Sequence, residues 1–312
     1  MGDIFDTHAH YDDAAFDEDR DELLHRLFSQ DVCGIVNQGT NAETSRFSVE
    51  LAHRYDGMYA AVGLHPECVT ENSVSELKEI RTLYDNKKVV AVGEIGLDYY
   101  YDVPKEWQKY AFEAQLQLAN ELSLPVVVHD REAHKDVLDF LKQYRPKGIV
   151  HCFSGSREMA LEIVNLGMYI GMGGVVTFKN SRKAVEVISE IPLTSLVLET
   201  DCPYLSPVPY RGKRNHSGMI AYVAERIAEI KGITGDEVLS VTKENAKKVY
   251  QISEKEAKSN ESIDHGRKLR HRQRYCKGAC ASGMGRYPRC QKNRTSERTE
   301  KGIGRSDKML PL

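Results

Sequence analysis

Between Ile4 and Asp201 the sequence repeats one arrangement eight times: a short apolar run, a polar break, and a stretch of helical length. The runs are Ile4–His10, Val32–Gly39, Tyr59–His65, Val89–Leu97, Pro125–His129, Gly148–Phe153, Met168–Phe178 and Leu196–Asp201. Several, such as Pro125-Val126-Val127-Val128, are apolar at every position, as a strand covered on both faces requires. Between them Leu23, Leu24, Leu27 and Phe28 recur at helical spacing, as do Trp107, Tyr110, Ala111, Ala114 and Leu118, and Val137, Phe140 and Leu141. Strands alternating with helices predict βα units on a parallel sheet. Eight such units in roughly 250 residues predict an α/β fold, the TIM-type (β/α)8 barrel.

The carboxyl ends of these runs carry the chemistry. In order they deliver Asp6-Thr7-His8-Ala9-His10, Gly63-Leu64-His65-Pro66, Gly93-Glu94-Ile95-Gly96-Leu97-Asp98-Tyr99, His129-Asp130-Arg131-Glu132, His151-Cys152-Phe153-Ser154-Gly155 and Glu199-Thr200-Asp201-Cys202-Pro203. Active sites of eight-stranded barrels are assembled on that face from several strand ends. His8 and His10 alternate along an extended strand, so both rings share a face and can chelate one ion. His129 and His151 each follow an apolar run, where a hydrogen-bonded structural histidine is a fitting alternative to a ligand. Glu94 and Asp201 end apolar runs, where an unpaired carboxylate carries a heavy desolvation cost that bound cations would offset. His65 could ligate, pack under Pro66 or touch substrate, and substrate contact is the preferred reading. His25, His53 and His134 fall on helical segments and read as surface residues.

Charge divides the chain. The net of -3 sums an acidic 1–251, at -12, and a basic 252–312, at +9. The basic segment is short of core-forming residues and contains runs such as Arg267-Lys268-Leu269-Arg270-His271-Arg272. It is expected to be a disordered tail, because it cannot bury enough apolar area to offset its ordering entropy. Cys276, Cys280 and Cys290, beside His265 and His271, match no common zinc-ligand spacing. The tail reads either as an arm adding sequence-independent nucleic-acid affinity or as a solvated extension. No run reaches the length of a membrane span, the amino terminus lacks a secretory pattern, and no feature calls for an obligate protein partner. Cys33, Cys68, Cys152 and Cys202 have no paired spacing, which suggests reduced thiols and a cytoplasmic location.

Taken as a set, the motifs D-T-H-A-H at 6–10, G-L-H-P at 63–66, G-E-I-G-L-D-Y-Y at 93–100, H-D-R-E at 129–132, H-C-F-S-G at 151–155 and E-T-D-C-P-Y-L at 199–205 resemble the TatD family of metal-dependent deoxyribonucleases. The resemblance runs from about Asp3 to Tyr250. It includes a basic loop, Arg211-Gly212-Lys213-Arg214-Asn215, which departs from the family's usual Asn-Glu-Pro at Asn215-His216-Ser217.

The resemblance implies two divalent metal ions, one held by His8, His10 and Asp201, the other by His129 and His151, with Glu94 bridging. Four histidines suit Zn2+ or Mn2+, while carboxylates and a phosphate substrate permit Mg2+. It also implies cleavage of phosphodiester bonds in DNA or an oligonucleotide by a water that the metal pair activates, with Asp201 and Glu94 catalytic. His65, Arg131, Arg211, Lys213 and Arg214 would hold the phosphates. An acidic body repels a polyanion, so single-stranded or frayed ends are the expected substrate. Two other readings compete: hydrolysis of amides, lactones or small phosphoesters on the same site, and nucleic-acid binding by the tail with the barrel as scaffold.

Overall fold

A computed structural model describes residues 3–253 of the chain. The reading of the basic segment falls beyond Ser253, outside the described residues. Eight strands are present: β1 Ile4–Ala9, β2 Val32–Gln38, β3 Met58–Val62, β4 Val89–Asp98, β5 Val126–Arg131, β6 Gly148–Val150, β7 Tyr169–Met172 and β8 Leu196–Leu198. All pair in parallel and in sequence order. The ring closes where Ala9 bridges Cys202 and the His8 carbonyl accepts the Asp201 amide at 2.9 Å. This is the TIM-type barrel that the alternation predicts.

Helices α1 Arg20–Ser29, α2 Ala42–Arg54, α3 Ser73–Arg81, α4 Lys105–Leu122, α5 His134–Tyr144, α6 Arg157–Asn165, α7 Arg182–Glu190, α8 Ile220–Lys231 and α9 Gly235–Val249 accompany the strands. Four of the eight strands, β1, β4, β6 and β8, are buried along their whole length, which explains their lack of polar alternation. A separate small cluster of Phe5, Val36, Val127, Val197 and Tyr250 packs apart from the main core. No helix among the described residues is long and apolar enough to cross a membrane, and no disulfide joins Cys33, Cys68, Cys152 or Cys202.

Two expectations are corrected. The run Met168–Phe178 is too long for one strand: β7 stops at Met172, and a 3-10 turn occupies Gly174–Thr177. The apolar character continues because Val176 is buried in the turn as Ile170 is in the strand. In α4, Trp107 and Tyr110 are 44% and 53% exposed, so they are not part of its core face. The buried residues are Gln108, Ala111, Phe112, Gln115, Leu116, Leu118 and Ala119, of which the spacing picks out Ala111 and Leu118. The glutamines lie inside because each holds strand-end backbone: Gln108 bonds the amide and carbonyl of Asp98, and Gln115 those of Leu64. Buried amides with both groups satisfied are stable inside a protein.

Candidate metal centre

The strand ends bring six of the predicted residues into one cluster. His8 and His10 alternate at the end of β1, and their Nε2 atoms stand 3.1 Å apart. Asp201 Oδ1, beyond β8, lies 3.5 Å from His8 Nε2 and 3.4 Å from His10 Nε2. Glu94 Oε2, from β4, lies 3.4 and 3.5 Å from the same two nitrogens. Four donors on a tetrahedron with bonds of 2.0–2.1 Å would be separated by about 3.3–3.4 Å. The donor types and separations therefore fit one divalent cation.

Glu94 turns its other oxygen to a second set. Oε1 is 2.7 Å from His151 Nε2, 3.0 Å from His129 Nδ1 and 3.4 Å from His65 Nε2. His129 Nδ1 and His151 Nε2 are 3.2 Å apart. A single buried carboxylate thus faces two groups of imidazoles, which fits a pair of cations sharing one bridging ligand.

The backbone that aims these groups is unusual. Asp201 and Cys152, the latter directly after His151, have φ of 55° and 43°, in the left-handed region that L side chains avoid. Such conformations persist where the surroundings over-determine them and concentrate at functional sites. Asp6, fully buried, ties the first and last strands together. It accepts hydrogen bonds from the His8 and Thr200 amides and from the Thr200 and Ser217 hydroxyls. Burial pushes its carboxyl up to about 6 despite those donors.

The electrostatics of the cluster follow from the same crowding. Burial and repulsion by His151 push His8 down to about 3, against the attraction of Glu94. Burial also opposes charge on His10 and His129. There the hydrogen bonds win, from Asp201 for His10 and from Asp98 and Glu94 for His129, and both rise to about 10. Glu94 resists burial because His151, His65 and His8 surround it, and its carboxyl stays well below the usual range. Asp201 is likewise held down, chiefly by His10 and His8 against burial. Two carboxylates held ionised among imidazoles are an electrostatic setting in which a divalent cation is stable.

Two residues beside the site were missed from sequence. Asp98 Oδ2 lies 2.9 Å from His129 Nε2, and Glu199, 1% exposed, lies behind His151. A signal existed for both. Asp98 follows Glu94 by four positions of β4, a spacing that places side chains on one strand face, and Glu199 is a carboxylate at the end of the same apolar run that delivers Asp201.

The predicted phosphate-binding residues are more scattered. His65 joins the cluster, whereas the three basic residues of the 211–214 loop have other surroundings. Arg131 stacks over Tyr100 at 3.7 Å and lies 5.5 Å from Tyr101. Arg211 stacks over Phe178 at 3.8 Å and donates to the Ser206 carbonyl. Arg214 makes a two-pronged pair with Asp19, at 2.7 and 2.6 Å, and bonds the Ala15 carbonyl. Lys213 is exposed.

The comparisons with known proteins agree with this geometry. The family described as TatD related DNase matches residues 5–251. The chain is 44% identical over 254 residues to a Bacillus subtilis protein named as the metal-dependent hydrolase YabD, covering 80% of this chain and 100% of that one. It is 34% identical over 259 residues to the 3'-5' ssDNA/RNA exonuclease TatD of Salmonella typhimurium, covering 80% and 99%. The crystal structure of YjjV, a TatD homologue from Escherichia coli, aligns with a TM-score of 0.76 at 35% identity, covering 80% and 99%. By sequence and by fold, this chain belongs to the TatD family of metal-dependent hydrolases.

Proposed function

We propose that the chain is a two-metal nuclease that hydrolyses phosphodiester bonds at single-stranded or frayed ends of DNA, and that residues 1–251 carry the activity without the basic tail. The observation that carries this reading is the position of Glu94, whose two oxygens face the His8, His10 and Asp201 set and the His129 and His151 set. Two divalent cations held by those donors would clamp and polarise the phosphoryl oxygens and acidify the attacking water.

The chain's own residues supply the rest. Asp201, ionised and with its side chain 21% exposed, is placed to take the proton of the attacking water. His65 Nδ1 accepts the Glu67 amide at 3.2 Å, and burial keeps the ring neutral by lowering its pKa. The ring proton is then on Nε2, so His65 presents a donor suited to a phosphate oxygen. Next to His129, Arg131 and the exposed rings of Tyr100 and Tyr101, 58% and 37% accessible, form a stacked edge to the site. Aromatic and guanidinium faces bind unpaired bases without regard to sequence. A relative named as a single-strand DNA and RNA exonuclease supports the same class of substrate.

The test is to strip and restore metal, then compare release from a single-stranded 3' end, a blunt duplex and a nicked circle. Faster release from the single strand is expected, and equal rates would overturn the preference. A chain cut after residue 251 should keep the wild-type rate. Turnover of a cyclic amide or lactone, with none of any oligonucleotide, would move the site to the competing class of hydrolase.

A further inference from the structure

His8 and His151 each turn Nε2 to the donor cluster and leave Nδ1 buried without a hydrogen-bond partner. Their rings stack, with centroids 3.8 Å apart and planes 7° from parallel. Glu199 completes the group. Its Oε1 accepts the Cys152 amide, and its Oε2 is buried without a partner. One donor atom from each of the three residues lies within 4.8 Å of the other two, and His151 Nδ1 is 3.9 Å from Glu199 Oε1.

Three buried polar atoms left unanswered on three residues of one group run against the general rule for protein interiors. The 3.9 Å between His151 Nδ1 and Glu199 Oε1 exceeds hydrogen-bond range but suits two short legs through one water. The position is built: a side chain at Gly171 would put its Cβ 2.4 Å from Glu199 Oε2, so the glycine makes room for the carboxylate. The same logic is completed directly on the neighbouring ligand, where Asp98 takes the outer nitrogen of His129. Metal-bound histidines generally give their second ring nitrogen to such a partner, which fixes the tautomer and the ring orientation.

We propose that Glu199 is a positioning residue for both halves of the metal centre: through one buried water it accepts the Nδ1 protons of His8 and His151, and so holds both Nε2 lone pairs toward the cations. The water accepts two N–H donors and donates to the carboxylate, which satisfies all three orphaned groups together. This inference rests on the reading of His8 and His151 as ligands, and its test is independent of nuclease activity.

The test is a crystal structure of the zinc-loaded protein, joined to zinc affinities measured by chelator competition for the wild type, Glu199→Gln, Glu199→Leu and His8→Ala. The expected result is a water within hydrogen-bonding distance of His8 Nδ1, His151 Nδ1 and Glu199. Affinity should fall about 10- to 100-fold in Glu199→Leu, and less in Glu199→Gln, which keeps an acceptor oxygen, with cooperative melting retained. A dry cluster, a metal ion in place of the water, or wild-type affinity in Glu199→Leu would each overturn the proposal. The wild-type crystal structure decides the matter even if the variants do not fold. Normal zinc binding by His8→Ala would overturn the ligand assignment itself.

Discussion

Asp98 Oδ2 accepts a hydrogen bond from His129 Nε2 at 2.9 Å, and this contact decides which nitrogen His129 offers to the donor cluster. With Nε2 committed, only Nδ1 remains, 3.0 Å from Glu94 Oε1. Asp98 is itself held through its backbone by Gln108. Asp98→Ala frees the ring to rotate and to choose the wrong tautomer, so metal affinity should fall about 10- to 100-fold. Chelator competition measures this, and undiminished affinity would count against the role.

Glu94 has a different kind of importance, because its two carboxylate oxygens face the two donor sets. Glu94→Ala and His129→Ala should abolish metal-dependent hydrolysis of an oligonucleotide while leaving a cooperative unfolding transition. The barrel core, which packs Val92, Ile95, Val126 and Val128 around these positions, does not depend on either side chain. Full hydrolysis by either variant would refute a shared two-cation site.

What the sequence conveyed follows from period and position. Eight apolar runs gave the strand order because each strand is buried on both faces, and six run ends gave the cluster because a parallel barrel collects carboxyl ends on one face. Extents were less legible. In Met168–Phe178 the strand yields to a turn at Gly173-Gly174, a turn signal masked by apolar residues on either side, since both states bury valine and isoleucine. The core face of α4 was hidden for the opposite reason: Gln108 and Gln115 are polar yet buried, and their value lies in bonds to residues 10 and 51 positions away. The basic loop shows the limit most clearly. Its composition suggests phosphate contact for every cation, whereas the partners that engage Arg211 and Arg214 come from distant segments.

The exposed edge formed by Tyr100, Tyr101 and Arg131 makes a measurable claim. If unpaired bases stack there, Tyr100→Ala should raise KM for a single-stranded oligonucleotide, since stacking contributes about 1–3 kcal/mol per base. A small chromogenic phosphodiester with no base should be hydrolysed at the wild-type rate, because the metal donors are untouched. Equal KM values for wild type and variant on the oligonucleotide would remove the edge from the substrate path.

Arg214 separates a structural from a substrate role. Its guanidinium grips Asp19 in two places and lies 4.8 Å from the Phe16 ring, clamping the loop after β8 to the turn before α1. The expected effect of Arg214→Ala is therefore on stability, with KM for an oligonucleotide unchanged. Both partners are about a third exposed, so solvent screening limits the loss to about 0.5–1 kcal/mol. The pH dependence has a definite sign. The hydrogen bond from Arg214, aided by its charge, holds the Asp19 carboxyl below its usual value against a small opposing effect of burial. A carboxylate with a depressed folded pKa stabilises above its unfolded pKa of about 3.9, and that stabilisation is lost as pH falls through the folded value. The melting-temperature gap between wild type and Arg214→Ala should thus be constant from pH 7 to about 5 and narrow in acid, leaving the share of the Ala15 and Phe16 contacts. A raised KM with unchanged stability would return Arg214 to the substrate, and a gap that does not narrow in acid would remove Asp19 as its partner.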